Sequence, residues 1–280
     1  MNNSIKKIIK NRLKIFITKK IFFSIQNNFT PIVQNSGIKF YGLFEIPHNR
    51  GETLLSKEPE MIAFIEDYVE DNDIYYDIGA NIGVFSMFTA LKKNANVFAF
   101  EPESSNYFML NKNISLNDLQ EKVFAFNIAI NDIDEFSFLN LKENIIPGKS
   151  GNTFKEELNY NHEHFTPHFK QGVFGISLDN FVYKYNNPCP NHIKIDVDGN
   201  EYKVINGMKR VLNDPNLKTL AIEINTKTKR DADLLKVIKD CNFIKVDGYQ
   251  NTKNELKLIG DKKKNYEQKN IVNYFFKKNK

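Results

Sequence analysis

The sequence predicts an α/β fold with a mostly parallel sheet and helices on both faces, and three observations carry that prediction. From Ile74 onward, short apolar runs alternate with amphipathic helical stretches, the pattern of βαβ units. The runs are apolar at successive positions, as expected of strands covered on both sides. The first run ends in a glycine-bearing turn, Asp77-Ile78-Gly79-Ala80-Asn81-Ile82-Gly83, where the backbone must bend sharply before a helix.

Taken in order, residues 1–36 read as a basic amphipathic extension. Ile5, Ile8, Ile9, Leu13, Phe16 and Ile17 recur at helical spacing between lysines and arginines. No apolar run approaches the ~20 residues needed to span a bilayer, and lysines interrupt every stretch that could serve as a cleaved signal peptide. Two uses remain: a helix packed on the body with a solvated basic face, the commoner use of such a pattern, or one lying on an anionic membrane through residues 1–20. The main domain is assigned to residues 37–280. Gly37–Pro47 suggests short strands or a hairpin, and 58–70 a helix with Met61, Ile62, Ile65 and Val69 on one face. Strands follow at IYYDIG, NVFAFE, KVFAFNIAI, HIKIDV, KTLAIEIN, NFIKV and NIVNYFF, with helices expected from about Val84, Ser105, Glu201 and Asp231. Residues 142–176 break the rhythm with two prolines, four glycines and three histidines. Such an irregular insertion is expected to be a substrate lid or a surface loop.

The 280 residues are 41% apolar and 26% charged, which excludes a disordered or low-complexity chain. Residues 1–20 hold seven Lys/Arg and no acid, and residues 261–280 net +5, leaving −7 of the total +5 for residues 21–260. An acidic body of this kind argues against a nucleic-acid partner. Two cysteines, Cys189 and Cys241, cannot make a disulfide framework. They suggest a cytoplasmic setting, with contact at the inner face of the membrane if the extension is used that way.

The glycine turn and the acid that ends the second strand, Glu101, together describe a nucleoside site, since such an acid can accept hydrogen bonds from both ribose hydroxyls. A purely structural βαβ unit is the plain alternative. A nicotinamide dinucleotide and S-adenosylmethionine both suit the arrangement. Asp77 before the glycines would repel a pyrophosphate but suits a cationic sulfonium and its amino group.

DIGANIG, then FEPE with Asn106 and Asn111, then Ser177-Leu178-Asp179, HIKIDVDGNEYKVINGM and LAIEIN together resemble the FkbM family of S-adenosylmethionine-dependent methyltransferases. The resemblance spans roughly residues 40–280. It implies a class I (Rossmann-like) methyltransferase fold with a seven-stranded sheet ending in an antiparallel strand. It also implies O-methyl transfer from S-adenosylmethionine to a hydroxyl of a sugar, glycan or glycolipid-type acceptor. Asp77, Gly79, Asn81 and Gly83 would line the methionine end, Glu101 would hold the ribose, and Asn127 to Ala129 would lie near the adenine. Asp198 stands where many members have Glu, which preserves the charge.

On that topology the turn after HIKI faces the sulfonium. Asp196 ends the strand and is the candidate general base. Asp198 and Glu201 would contact substrate or cap the following helix. Glu223 and Asn225 end the next strand on the same edge, Glu223 as a second candidate for proton removal and Asn225 for substrate. No metal is expected: His162 and His164 lack further ligands at zinc spacing. Two other readings stay open, a catalytically idle nucleoside-binding module and a nicotinamide-dependent oxidoreductase.

Overall fold

The computed structural model describes residues 11–21, 31–159, 161–225, 229–249 and 271–279. A helix, α1, covers residues 11–21. A two-stranded hairpin follows, β1 (Ile32–Asn35) and β2 (Ile38–Tyr41), then helices α2 (Glu45–Glu52) and α3 (Pro59–Tyr68). The alternating body comprises β3 (Ile74–Ile78), α4 (Val84–Lys93), β4 (Asn96–Phe100), α5 (Ser104–Leu116) and β5 (Val123–Phe126). It resumes with β10 (His192–Ile195), α6 (Glu201–Asn206), α7 (Lys209–Asn213), β11 (Thr219–Asn225), α8 (Lys229–Asp240), β12 (Phe243–Lys245) and β13 (Ile271–Lys278). Between the two halves lie β6 (Ala129–Asn131), β7 (Glu135–Leu141), β8 (Thr153–Phe154) and β9 (Phe169–Ser177).

Seven strands form one sheet in the order β12-β13-β11-β10-β3-β4-β5, parallel except for β13, which runs antiparallel to both its neighbours. Successive residues of β3 face opposite layers. Tyr75 joins Met61, Ile65, Phe88 and Leu110 under α3, α4 and α5, while Tyr76 joins Phe181, Val204, Met208 and Ile238 on the other side. Both faces are therefore buried, which is why the strands read as unbroken apolar runs.

The structure differs from the sequence reading at four places. The run KVFAFNIAI is not one strand. β5 ends at Phe126, and β6 leaves to pair with β9 in a second sheet, ordered β6-β9-β7-β8. The insertion 142–176 is not irregular throughout, since β8 and most of β9 belong to that sheet. Helix α2 went unforeseen because Pro47 and Gly51 interrupt its sequence and no apolar stripe marks it. Of the N-terminal extension, residues 11–21 are exposed at every position, so this part is not packed on the body; residues 1–10 lie outside the described residues. Among the described residues, no helix is long and apolar enough to cross a membrane.

Candidate functional site

The strand order reverses between β3 and β10, and open α/β sheets bind ligands outside the carboxyl ends of their strands at such a point. An open cleft of about 990 Å³, solvent-filled mouth included, lies there. Its floor carries Gly79, Asn81, Glu101, Asp196, Asp198 and Glu223, and its apolar wall includes Phe100, Ile128, Ala129 and Ile130.

The turn after β3 needs its special residues. Gly79 has φ +78°, and a Cβ there would sit 1.8 Å from the Asp196 carbonyl oxygen. Asn81 has φ +53°, and its backbone N–H donates to Glu101 Oε2 at 2.7 Å. The Glu103 N–H donates to Glu101 Oε1 at 2.8 Å. Glu101 is 5% exposed yet borders the cleft. Burial pushes its carboxyl up to about 7, the Glu103 carboxylate adds to that, and the two backbone donors oppose it.

The expectation that Asp77 faces the cofactor is corrected. Asp77 lies on the same side of β3 as Tyr75, so its carboxylate points toward α4 and is fully buried. Its Oδ2 accepts from Ser86 Oγ at 2.7 Å, and Oδ1 lies 3.2 Å from Lys194 Nζ, an ion pair without hydrogen-bond alignment. Lys194 is the direct register partner of Asp77 across the β10–β3 ladder. Its ammonium also donates to the Gly79 carbonyl at 3.3 Å and sits 3.4 Å from Asp196 Oδ2. Burial alone would lower the Lys194 pKa; the Asp77 and Asp196 carboxylates outweigh it and hold it above its ordinary value. Gly83 begins α4, and an added Cβ there would meet Leu110 at 2.4 Å, so it serves packing outside the cleft lining.

The expected roles of three further residues also meet a different geometry. The Asn127 side-chain amide donates to the Glu101 and Pro102 carbonyls, both at 2.9 Å, fixing the strand ends outside the cleft lining. Glu201 is 5% exposed, and its Oε1 accepts from the Val197 and Gly199 N–H groups, so it closes the turn before α6. Burial raises its pKa to about 8, with Asp196 contributing. The Asn225 amide reaches the Asn161 Oδ1 at 3.4 Å, away from the cleft lining.

Asp196, Asp198 and Glu223 do border the cleft. The Asp196 side chain is 35% exposed. Glu223 is pushed up to about 9 by burial and then by the charges of Asp196, Asp198, Glu201 and Glu58. A carboxyl with that pKa is protonated at neutral pH, so Glu223 suits hydrogen bonding to a substrate better than removing its proton.

The cleft's roof, residues 147–152, lies within the insertion expected to be a substrate lid or a surface loop, and sequence reasoning missed the side-chain bonds that hold it. Asn106 Oδ1 accepts from the Gly148 N–H at 2.7 Å, and its Nδ2 donates to the Lys149 carbonyl at 3.0 Å. That carbonyl also accepts from Asn81 Nδ2 at 2.9 Å. Arg50 Nε donates to the Gly148 carbonyl at 2.7 Å, and Asp198 Oδ2 accepts from the Gly151 N–H at 2.6 Å. The Pro-Gly and Ser-Gly dipeptides of this segment were its signal in the sequence. Lys194 was likewise visible, as a lone charge inside an apolar strand.

These residues fit an adenosine-containing cation better than a dinucleotide. Besides Glu223, protonated at neutral pH, five acids border the cleft (Glu58, Glu101, Glu103, Asp196 and Asp198), against the cations Arg50, Lys57 and Lys149. That balance favours a sulfonium and disfavours a pyrophosphate. Among the described residues, no group of three or more His, Cys, Asp or Glu is placed to hold a metal ion.

Residues 77–245 match the methyltransferase FkbM domain. The chain belongs to the FkbM methyltransferase family. Among characterised proteins it is 26% identical, over 185 residues, to the hexuronic acid methyltransferase AglP of Haloferax volcanii, covering 66% of this chain and 70% of AglP. Among solved structures it is similar to the FkbM methyltransferase of Methylobacillus flagellatus KT (13% identity, TM-score 0.46, 74% of this chain). It spans only 44% of that protein's length. It is also similar to TYW2 of M. jannaschii in complex with AdoMet (13% identity, TM-score 0.41, 89% of this chain and 87% of that one).

Proposed function

We propose that this FkbM methyltransferase transfers the methyl group of S-adenosylmethionine to a hydroxyl of a sugar or glycan acceptor. The observation that carries the reading is the acidic cleft at the switch point, with Glu101 at one end and Asp196 and Glu223 at the other. Family membership supports methyl transfer, and the likeness to a hexuronic acid methyltransferase supports a sugar-type acceptor.

In this reading Glu101, held by the Asn81 and Glu103 N–H groups, accepts the two ribose hydroxyls. Gly79 lets the backbone approach the ligand, and the apolar wall takes the adenine. When bound, S-adenosylmethionine supplies a methyl group on a cationic sulfur. Glu223, protonated, hydrogen-bonds the acceptor. Asp196, steadied by the Lys194 ammonium, accepts the proton of the attacking hydroxyl. Methyl transfer is an in-line displacement, so positioning supplies most of what the protein must contribute.

The test begins with calorimetry using S-adenosylhomocysteine and NADH, in which only the first should bind. A screen of nucleotide sugars and glycans with labelled methyl donor then identifies the acceptor. With it, Asp196→Asn should lower turnover by ~10²–10⁴-fold while leaving S-adenosylhomocysteine affinity nearly unchanged. NADH binding, or full turnover in that variant, sinks the respective part of the reading. Binding without transfer to any acceptor favours an idle nucleoside-binding module.

A further inference from the structure

Helix α1 presents a surface that the methyl-transfer reading does not use. All of residues 11–21 are exposed. Leu13, Phe16, Ile17 and Ile21 fall three to four residues apart, so they share one face. Each remains 47–56% exposed. Arg12, Lys14 and Lys19 flank this stripe, Lys20 falls within it with its ammonium 5.1 Å from the Phe16 ring centre, and Ile15, 57% exposed, lies on the opposite face. No acid occurs anywhere in residues 1–20.

Three occupants of such a face are conceivable, and the chemistry separates them. The chain's own body is net acidic and would attract the helix, yet the helix is exposed throughout. A nucleic acid would use the lysines and leave the apolar stripe in water. A lipid surface uses both: the apolar face enters the boundary between headgroups and acyl chains, and the cations meet anionic headgroups. At ~1.5 Å per residue the described residues 11–21 are too few to cross a bilayer, and their mixed apolar and basic faces suit a helix lying in the plane.

We propose that α1 is a membrane-surface element that holds this protein on anionic phospholipid, with Leu13, Phe16, Ile17 and Ile21 inserted and the flanking cations on the headgroups. The proposal stands independently of the methyl-transfer reading, because it needs no residue of the cleft.

The test is co-sedimentation of the full-length protein with vesicles of phosphatidylglycerol and phosphatidylcholine, and with vesicles of phosphatidylcholine alone. Binding is expected to the first and not to the second, and it should fall as salt rises. Two variants of the full chain separate the contributions. Lys14→Gln, Lys19→Gln and Lys20→Gln together should weaken anionic-vesicle binding on the order of a hundredfold, from the ordinary strength of a lysine near such a surface. Leu13→Ser, Phe16→Ser and Ile17→Ser together should weaken it at least as much as a tenfold change, with unchanged Tm showing that the body still folds. The proposal is overturned if the wild-type protein binds neither vesicle or binds both equally. It is also overturned if both variants bind like wild type, which would move the site to the basic tail. Retention on RNA that survives the Ser substitutions, in a protein that ignores vesicles, would replace the lipid with a nucleic acid.

Discussion

The floor and roof of the cleft are held in different ways. The floor is the carboxyl edge of the seven-stranded sheet, where Asp77, Lys194 and Asp196 are fixed by strand register and by a buried ion pair. The roof, residues 147–152, belongs to no strand. It hangs on side chains reaching out from other elements, namely Arg50, Asn81, Asn106 and Asp198. Breaking the roof's bonds leaves the sheet untouched, whereas breaking the floor's ion pair disturbs two central strands at once. The floor therefore carries stability and the roof carries access, and substitutions can separate the two.

The largest effect should come from Lys194→Met. It removes the cation from a fully buried Asp77 carboxylate, and stranding one partner of a buried pair typically costs about 3–5 kcal/mol. Urea unfolding should show that loss, and adding Asp77→Asn should return much of it. If the single variant is as stable as wild type, the floor is not held by this pair.

This contrast also explains what the sequence could tell. The strands of the floor were legible because burial on both faces leaves unbroken apolar runs, and Glu101 and Asp196 were legible because they directly follow such runs, Glu223 because it is a lone acid near the end of one. Asp77 was misplaced because spacing alone does not say which face of the sheet a strand-end residue takes. Tyr75 and Asp77 share the α4 side, where Ser86 and Lys194 meet the carboxylate. The roof's attachments were illegible for a different reason: its bonds join residues 42 to 98 positions apart, and no periodicity records them. The break after Phe126 was hidden too, because Asn127 anchors to the strand ends while the apolar pattern continues unchanged into β6.

A smaller effect should follow from Glu101→Ala, which removes a charged acceptor of hydrogen bonds on the ligand side of the floor. S-adenosylhomocysteine should bind about 1.5–3 kcal/mol more weakly. In wild type, ribose hydroxyls donate to the ionised carboxylate, whose pKa in the protein without ligand is about 7. Affinity should therefore fall as pH drops below 7, and Glu101→Ala should lose that dependence. Calorimetry at several pH values reads both, and a pH-independent wild type would place the ribose elsewhere.

Asn106→Ala tests the roof together with the side-chain bond that Asn106 gives Glu101. It deletes one acceptor and one donor of neutral hydrogen bonds to Gly148 and Lys149, each typically worth ~0.5–1.5 kcal/mol. The freed backbone groups can turn to water, so global stability should change little. Backbone exchange at 148–151 should quicken, and S-adenosylhomocysteine should leave faster by roughly three- to tenfold. A variant that loses stability like Lys194→Met instead would show that the roof is part of the folded frame.

The effect whose sign is most telling is expected from Glu223→Gln. Glu223 is raised from an ordinary carboxyl value to about 9 by burial and by the carboxylates of Asp196, Asp198, Glu201 and Glu58. The folded protein thus keeps a proton that the unfolded chain releases above about pH 4.5. Between those values the unfolded state binds fewer protons, so wild-type stability falls as pH rises and levels off above about 9. Glutamine cannot ionise and removes this contribution. The variant should match wild type near pH 5 and exceed it near pH 9. A gain of ~1 kcal/mol there would raise Tm by about 2–4 °C in a domain of 150–250 residues. Glu101 keeps its own slope in both proteins, up to about 7, whereas Glu201 acts on Glu223, so the difference between the two proteins reads Glu223 together with its interaction with Glu201. If Glu223→Gln lowers Tm equally at every pH, the side chain is held by hydrogen bonds rather than strained by its neighbours' charges. The acidic floor would then be less repulsive than its geometry implies, and a cationic ligand would gain correspondingly less from binding there.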